Sequence, residues 1–171
     1  HTSTNKVAVA AGVSVGSLYQ YFPSKEALVA ALVERHVTQT LGAIRAEAPS
    51  LFAMPVERAV RRFVEMMIDA HRVDPALHRV LCEQLPRVGD LDRIHQVEHE
   101  GEALARAFLA AKRDEIEPED LDIAAFVVVH TVEALTHAAV LLRPELLHRP
   151  ELVDEVTAVV VRYLQPTKAR A

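Results

Sequence analysis

The stretch that decides the reading is VAVAAGVSVGSLYQYFPSKEALVAAL, from Val7 to Leu32. It holds two short helical segments joined by a tight turn. Ser3 or Thr4 caps the first, which ends near Ala11, and Gly12 permits the turn by accepting a positive φ. Ser14 caps the second, its hydroxyl reaching the free N–H groups of the first turn, and this helix runs to about Phe22. Small residues at Ala8 and Ala11 suit a helix crossing, with Val13 and Leu18 as apolar anchors beneath the turn. The second helix then displays Val15, Gly16, Ser17, Tyr19 and Gln20 outward, in a run short enough for a DNA major groove about 12 Å wide. Pro23-Ser24 breaks the chain again, and Ser24 caps a long helix with Glu26 in its first turn, where the helix dipole favours an anion.

The run AGVSVGSLYQYFPSKEAL resembles the DNA-binding signature of the TetR family at Ala11, Gly12, Val13, Ser14, Gly16, Leu18, Tyr19, Tyr21, Phe22, Lys25 and Leu28. The resemblance implies an all-α fold, with a helix-turn-helix head on an α-helical ligand-binding and dimerisation body. The head is expected over residues 1–28 and the body over 29–171. The family's head has three helices, and by the resemblance the motif here corresponds to the second and third, with the first expected ahead of them. The resemblance also implies phosphate contacts from Ser17, Tyr21 and Lys25, assisted by Thr4. Hydroxyls, a phenol and an ammonium at helix N-termini are good phosphate partners on physical grounds as well. Tyr19 and Gln20 are placed to reach base edges, Val15 or Gly16 to pack on thymine methyls, and Asn5 to reach a base from the preceding helix. For Phe22, core filling is the expected role.

Outward from the motif, the composition is that of a helical protein. Half of the 171 residues are hydrophobic, aromatics are 5%, and there are only five glycines. The net charge of −5 divides unevenly: residues 1–25 carry Lys6 and Lys25 without an acid, +2, which leaves −7 for the remainder. A mildly basic head on an acidic body fits a protein that meets DNA at one end. A single cysteine, Cys82, allows no internal disulfide and no Cys-rich zinc pattern, in keeping with a reduced, cytoplasmic setting.

Prolines cut the rest into helix-sized pieces. The long helix from Ser24 is expected to end near Ala48, before Pro49. From Pro55, Val56, Val60, Phe63, Met67 and Ala70 form a stripe for a helix packed lengthwise in a bundle. Pieces follow over 75–85 and 90–112, then helices opened by Pro118 and Pro150, the last ending near Leu164. The helix 118–143 is apolar nearly all round between Ile123 and Leu142. With the helix 150–165 it is expected to form a homodimer interface that holds two heads on near-palindromic, double-stranded operator DNA. An apolar run of that length is also weighed as a membrane span, but Glu133 at its centre and two histidines argue against one. No membrane and no cofactor are expected as partners.

His130, Glu133 and His137 share one helix face, for which a pocket wall and a hydrogen-bonded network in the bundle or dimer seam are both open. A metal there is a lesser option, because such spacing recurs by chance. His95 and His99 are read as a solvated face. By resemblance, a small-molecule effector is expected among Phe63, Met66, Met67, His71, Leu85, Phe108 and Phe126, each of which also fits plain core, with His130 and Glu133 added if their helix face lines the pocket. The competing class is a small α-helical enzyme with Cys82 as nucleophile. Cys82 lies in an apolar run that favours a buried structural thiol, and the chain contains no Gly-rich phosphate loop, Gly-x-Ser-x-Gly elbow or His-Glu-x-x-His motif. A redox-sensing regulator pairing Cys82 with its dimer mate is a third reading.

Overall fold

The computed structural model describes residues 3–72, 78–79 and 91–165, and every regular element among them is helical. Cys82 and Leu85 lie outside the described residues, as do the expected helix over 75–85 and the side chain of His95. The head consists of α1 (Thr4–Ala11) and α2 (Val15–Tyr21). Ser3 caps α1 by accepting from the Lys6 N–H, and Ser14 caps α2 by accepting from the Ser17 N–H at 3.0 Å. Gly12 ends α1 at φ 68°, the left-handed conformation that costs a glycine nothing, and the Val13 N–H closes the turn on the Ala8 carbonyl.

Helix α3 (Lys25–Ala53) begins on the Ser24 cap and runs straight through Pro49. The expected stop near Ala48 is therefore wrong. Pro49 removes only its own N–H, and the turn after it is held by tertiary packing. Leu51 is buried, and Phe52 meets Phe108 edge to face with ring centroids 5.6 Å apart. Helix α4 (Val56–Arg72) starts where the Glu115 carboxylate accepts from the Val56 N–H at 3.0 Å. Its buried stripe runs through Val56, Val60, Val64, Met67, Ile68 and His71, broader than the expected line and with Val64 fully enclosed.

Helix α5 (Leu91–Ala111) leads to a short 3-10 turn at Arg113–Glu115, and α6 spans Leu121–Leu142. The helix expected from Pro118 starts three residues later, because the Asp120 carboxylate caps it through the Asp122 and Ile123 N–H groups. After a second 3-10 turn at Pro144–His148, α7 (Pro150–Leu164) closes the body, and the Glu117 N–H donates to the Leu164 carbonyl at 2.8 Å. α4, α6 and α7 share the core, with Leu109 entering from α5. On α6, Ala124, Val128, Val132, Ala139 and Val140 are buried, and the Thr136 hydroxyl is satisfied by the Val132 carbonyl at 2.8 Å. α6 is long and apolar enough to cross a membrane by length and composition, yet it packs along α5 and α4 in a helical body.

Candidate nucleic-acid interface and body cavity

In the head, α1 and α2 meet over Ala8, which is fully buried, and Leu18. Ala11 and Val13 are exposed, Val13 at 44%, so the crossing rests on Ala8 and Leu18 and not on all four expected residues. Two helices of eight and seven residues enclose little, and the turn residues stay outside. Phe22 is half-buried. The Thr4 hydroxyl and the Tyr19 phenol lie 3.2 Å apart and tie α1 to α2. Ser17 is bonded to its neighbour Ser14, oxygen to oxygen at 2.8 Å. Tyr21 is 81% exposed, and Asn5, Gly16, Gln20 and Lys25 are exposed with it, while Val15 is half-buried. At Gly16 the space where a side chain would stand meets only the Ser14 hydroxyl, at 3.8 Å.

The body contains a cavity of about 240 Å³. Its walls come from α3, α4, α5 and α6, with His78 and Leu164 also in the lining. Most of the lining is aliphatic or aromatic; the polar side chains are Thr40, Glu133 and four histidines, His36, His71, His78 and His137, whose rings neighbour one another and make one polar end. Of the residues expected around an effector, the cavity is lined by Phe63, Met67, His71, Phe108 and Glu133. Met66, Phe126 and His130 stand elsewhere. Met66 is half-buried one position off the lining stripe, and Phe126 is 54% exposed with its ring 4.4 Å from that of His130.

The three residues sharing one face of α6 divide between two environments. His130 has each ring nitrogen against a carboxylate, Nε2 to Glu102 at 3.0 Å on α5 and Nδ1 to Glu133 at 3.1 Å. His137 turns to the cavity, its ring 5.1 Å from that of His71. Two further histidines, absent from the expected set, complete the polar end. His36 on α3 and His78 have ring centroids 4.2 Å apart, and His78 and His71 are 4.4 Å apart. Burial pushes His36 and His71 down to about 4, and the neighbouring imidazoles add to it by mutual repulsion. Burial lowers His137 as well. His36 and His71 are therefore neutral at pH 7. In His71 the Nδ1–H donates to the Met67 carbonyl at 2.7 Å, which fixes the tautomer and leaves Nε2 with its lone pair. Sequence spacing had no means of finding this set, because its members come from separate elements.

The comparisons with known proteins agree with this architecture. The family described as Tetracyclin repressor-like, C-terminal domain, matches residues 55–164, and the one described as bacterial regulatory proteins, tetR family, matches residues 1–32. The chain is similar to the nucleoid occlusion factor SlmA of Haemophilus ducreyi, 37% identical over 79 residues that make up 46% of this chain and 38% of that protein. SlmA of Actinobacillus pleuropneumoniae serotype 5b is 38% identical over 80 residues, again 46% and 38% of the two chains. The match thus spans well under half the length of these relatives. Among solved structures, a tetR-family regulatory protein from Rhodococcus RHA1 superposes with a TM-score of 0.75 over 98% of this chain and 88% of its own, at 17% identity. The fatty acid degradation regulator FadR from Bacillus halodurans gives 0.70 over 95% and 89%, at 21% identity. At such identities the likeness is one of fold. The matches to head and body together show that the chain belongs to the TetR family of DNA-binding transcriptional regulators.

Proposed function

We propose that the chain acts as a dimeric repressor, holding near-palindromic operator DNA with two heads and releasing it when a small, largely apolar molecule fills the body cavity. The observation that carries this reading is the continuity of α3. Its first turn follows directly on the DNA-facing α2, and its residues from Val33 to Phe52 wall the cavity. A ligand there touches the same rigid element that orients the head, so differential affinity for two orientations is enough to couple the sites, at about 1–3 kcal/mol.

In this reading Tyr21 and Lys25 hold phosphates, Ser17 and Thr4 assist, and Gly16, Gln20 and Asn5 face the groove. Tyr19 keeps α1 and α2 in register through Thr4 and offers its ring edge to a base. Dimerisation uses α6 and α7, whose outer faces leave Ile123, Phe126, Leu135, Leu142, Val159 and Tyr163 exposed. Exposed apolar side chains in such number on two adjacent helices suit burial against a second copy. The protein's work in this account is recognition, without a catalytic step.

The test is binding of labelled duplexes from the protein's own upstream region at several salt concentrations. Saturable binding to a near-palindrome is expected, with affinity falling steeply as salt rises. Lys25→Ala should weaken binding to all sequences alike and flatten the salt slope by about one unit. Binding that ignores both salt and Lys25→Ala would overturn the proposal.

A further inference from the structure

We propose that His36, His71 and His78 are three ligands of a divalent transition-metal site, of the kind zinc occupies, at the polar end of the body cavity. One ring nitrogen from each lies within 4.8 Å of the others. Tetrahedral zinc with Zn–N bonds of about 2.0–2.1 Å needs ligand nitrogens about 3.3 Å apart, a small side-chain adjustment from the observed positions. The rings do not stack as filler: His36 meets both His71 and His78 edge-on, at 85° and 86° between planes.

Three features favour an ion over plain packing. His71 and His78 are 2% and 4% exposed, which places the cluster in a buried, low-dielectric setting where a coordinated ion is shielded from solvent. The Met67 carbonyl holds the His71 Nδ1–H and leaves Nε2 as the coordinating nitrogen, the outer-shell arrangement that metal-bound histidines use. Next to His78, the Arg79 guanidinium donates to the Val140 carbonyl at 3.3 Å, which ties the backbone carrying His78 to α6. An all-imidazole set selects zinc, copper, nickel or cobalt and rejects magnesium and calcium, which want oxygen. His137 lines the same cavity beside His71 and is the nearest candidate for a fourth ligand.

The site joins α3 through His36 to α4 through His71, so an ion bound there pins the helix that carries the head. This regulatory half rests on the function proposed above; the metal site itself does not.

The experiment is a zinc titration of the chelator-stripped protein, with magnesium as the control ion and operator binding measured on the same samples. One tightly bound zinc per protomer and no response to magnesium are expected. His36→Gln, His71→Gln and His78→Gln should each weaken zinc by more than the roughly 10–100-fold that loss of an outer-shell partner costs. His99→Gln, on the exposed face of α5, should leave it unchanged. Circular dichroism checks that each variant folds, and X-ray absorption of the zinc-loaded wild-type protein counts imidazole ligands independently of any variant. Stoichiometric zinc with at least three imidazoles supports the site. No zinc binding, or zinc retained at full affinity in folded His71→Gln and His78→Gln, overturns it, whatever operator binding does. Zinc binding that leaves operator affinity unmoved removes only the regulatory half.

Discussion

Acid should loosen this protein through its buried histidines as pH falls from 7 to 5. His71 is 2% exposed, and burial brings its imidazole from the ordinary 6.5 to about 4. A base whose pKa is lowered on folding takes up its proton more readily in the unfolded chain. The stabilisation is therefore full above pH 6.5, declines as pH falls, and is gone below about 4. Integrated from pH 7 to pH 5, this one residue accounts for about 2 kcal/mol of lost stability per protomer. His36, lowered in the same direction and to the same region, adds to the loss. The affected carboxylates, Glu26, Glu115, Glu145 and Glu151, are all held below their usual 4.5, so they titrate beneath this window. The assay is urea denaturation at fixed protomer concentration, at pH 7 and pH 5 with a chelator present, on the wild type and on His71→Gln. The wild type should lose about 2 kcal/mol or more between the two pH values, and His71→Gln should lose correspondingly less. An equal loss in both proteins would refute the assignment of His71 as a residue folded in its neutral form.

Three further outcomes are expected. Gly16→Ala should leave the melting temperature unchanged or raise it, since alanine gains about 1 kcal/mol over glycine within a helix and its methyl meets only the Ser14 hydroxyl at 3.8 Å, while altering operator affinity in a binding titration if Gly16 faces the groove as proposed. Gly12→Ala should destabilise the head by about 1–2 kcal/mol, the cost of a Cβ at φ 68°, which hydrogen exchange in α1 and α2 would register. Leu142→Glu, at a site 75% exposed on α6, should leave the circular dichroism intact and shift sedimentation toward the monomer; an unchanged dimer would mean that the interface lies elsewhere.

The head was legible because its signals are local. Ser3, Ser14 and Ser24 each cap the helix that follows, and Gly12 supplies the one positive φ among the described residues. Such features act over three or four residues and leave a mark in sequence order. Pro49 and Pro118 misled for the complementary reason. The first is carried inside α3 by the packing of Leu51 and Phe52, and the second gives way to the stronger cap at Asp120. The cavity was legible only in part. Phe63, Met67 and His71 follow from the stripe of α4, but spacing on α6 grouped His130 with His137 although the fold sends one to Glu102 and the other to the cavity. His36 and His78 acquire their meaning only from three-dimensional proximity to His71.

The length of α3 has a mechanical consequence. Its 29 residues make a rod of about 43 Å. Tilted by about 5° around its Ala53 end, such a rod carries Lys25 through roughly 4 Å, while a point level with Ala48 travels less than about 1 Å. With two copies moving in opposite senses, the gap between heads changes by about 7 Å, set against the 34–36 Å or so that separates successive turns of one duplex face. The cavity wall thus moves by less than about 1 Å near Ala48 and by roughly 2–3 Å at Val33 and His36, so under the release mechanism proposed above a modest shift at the cavity would suffice to put the two heads out of step with the duplex.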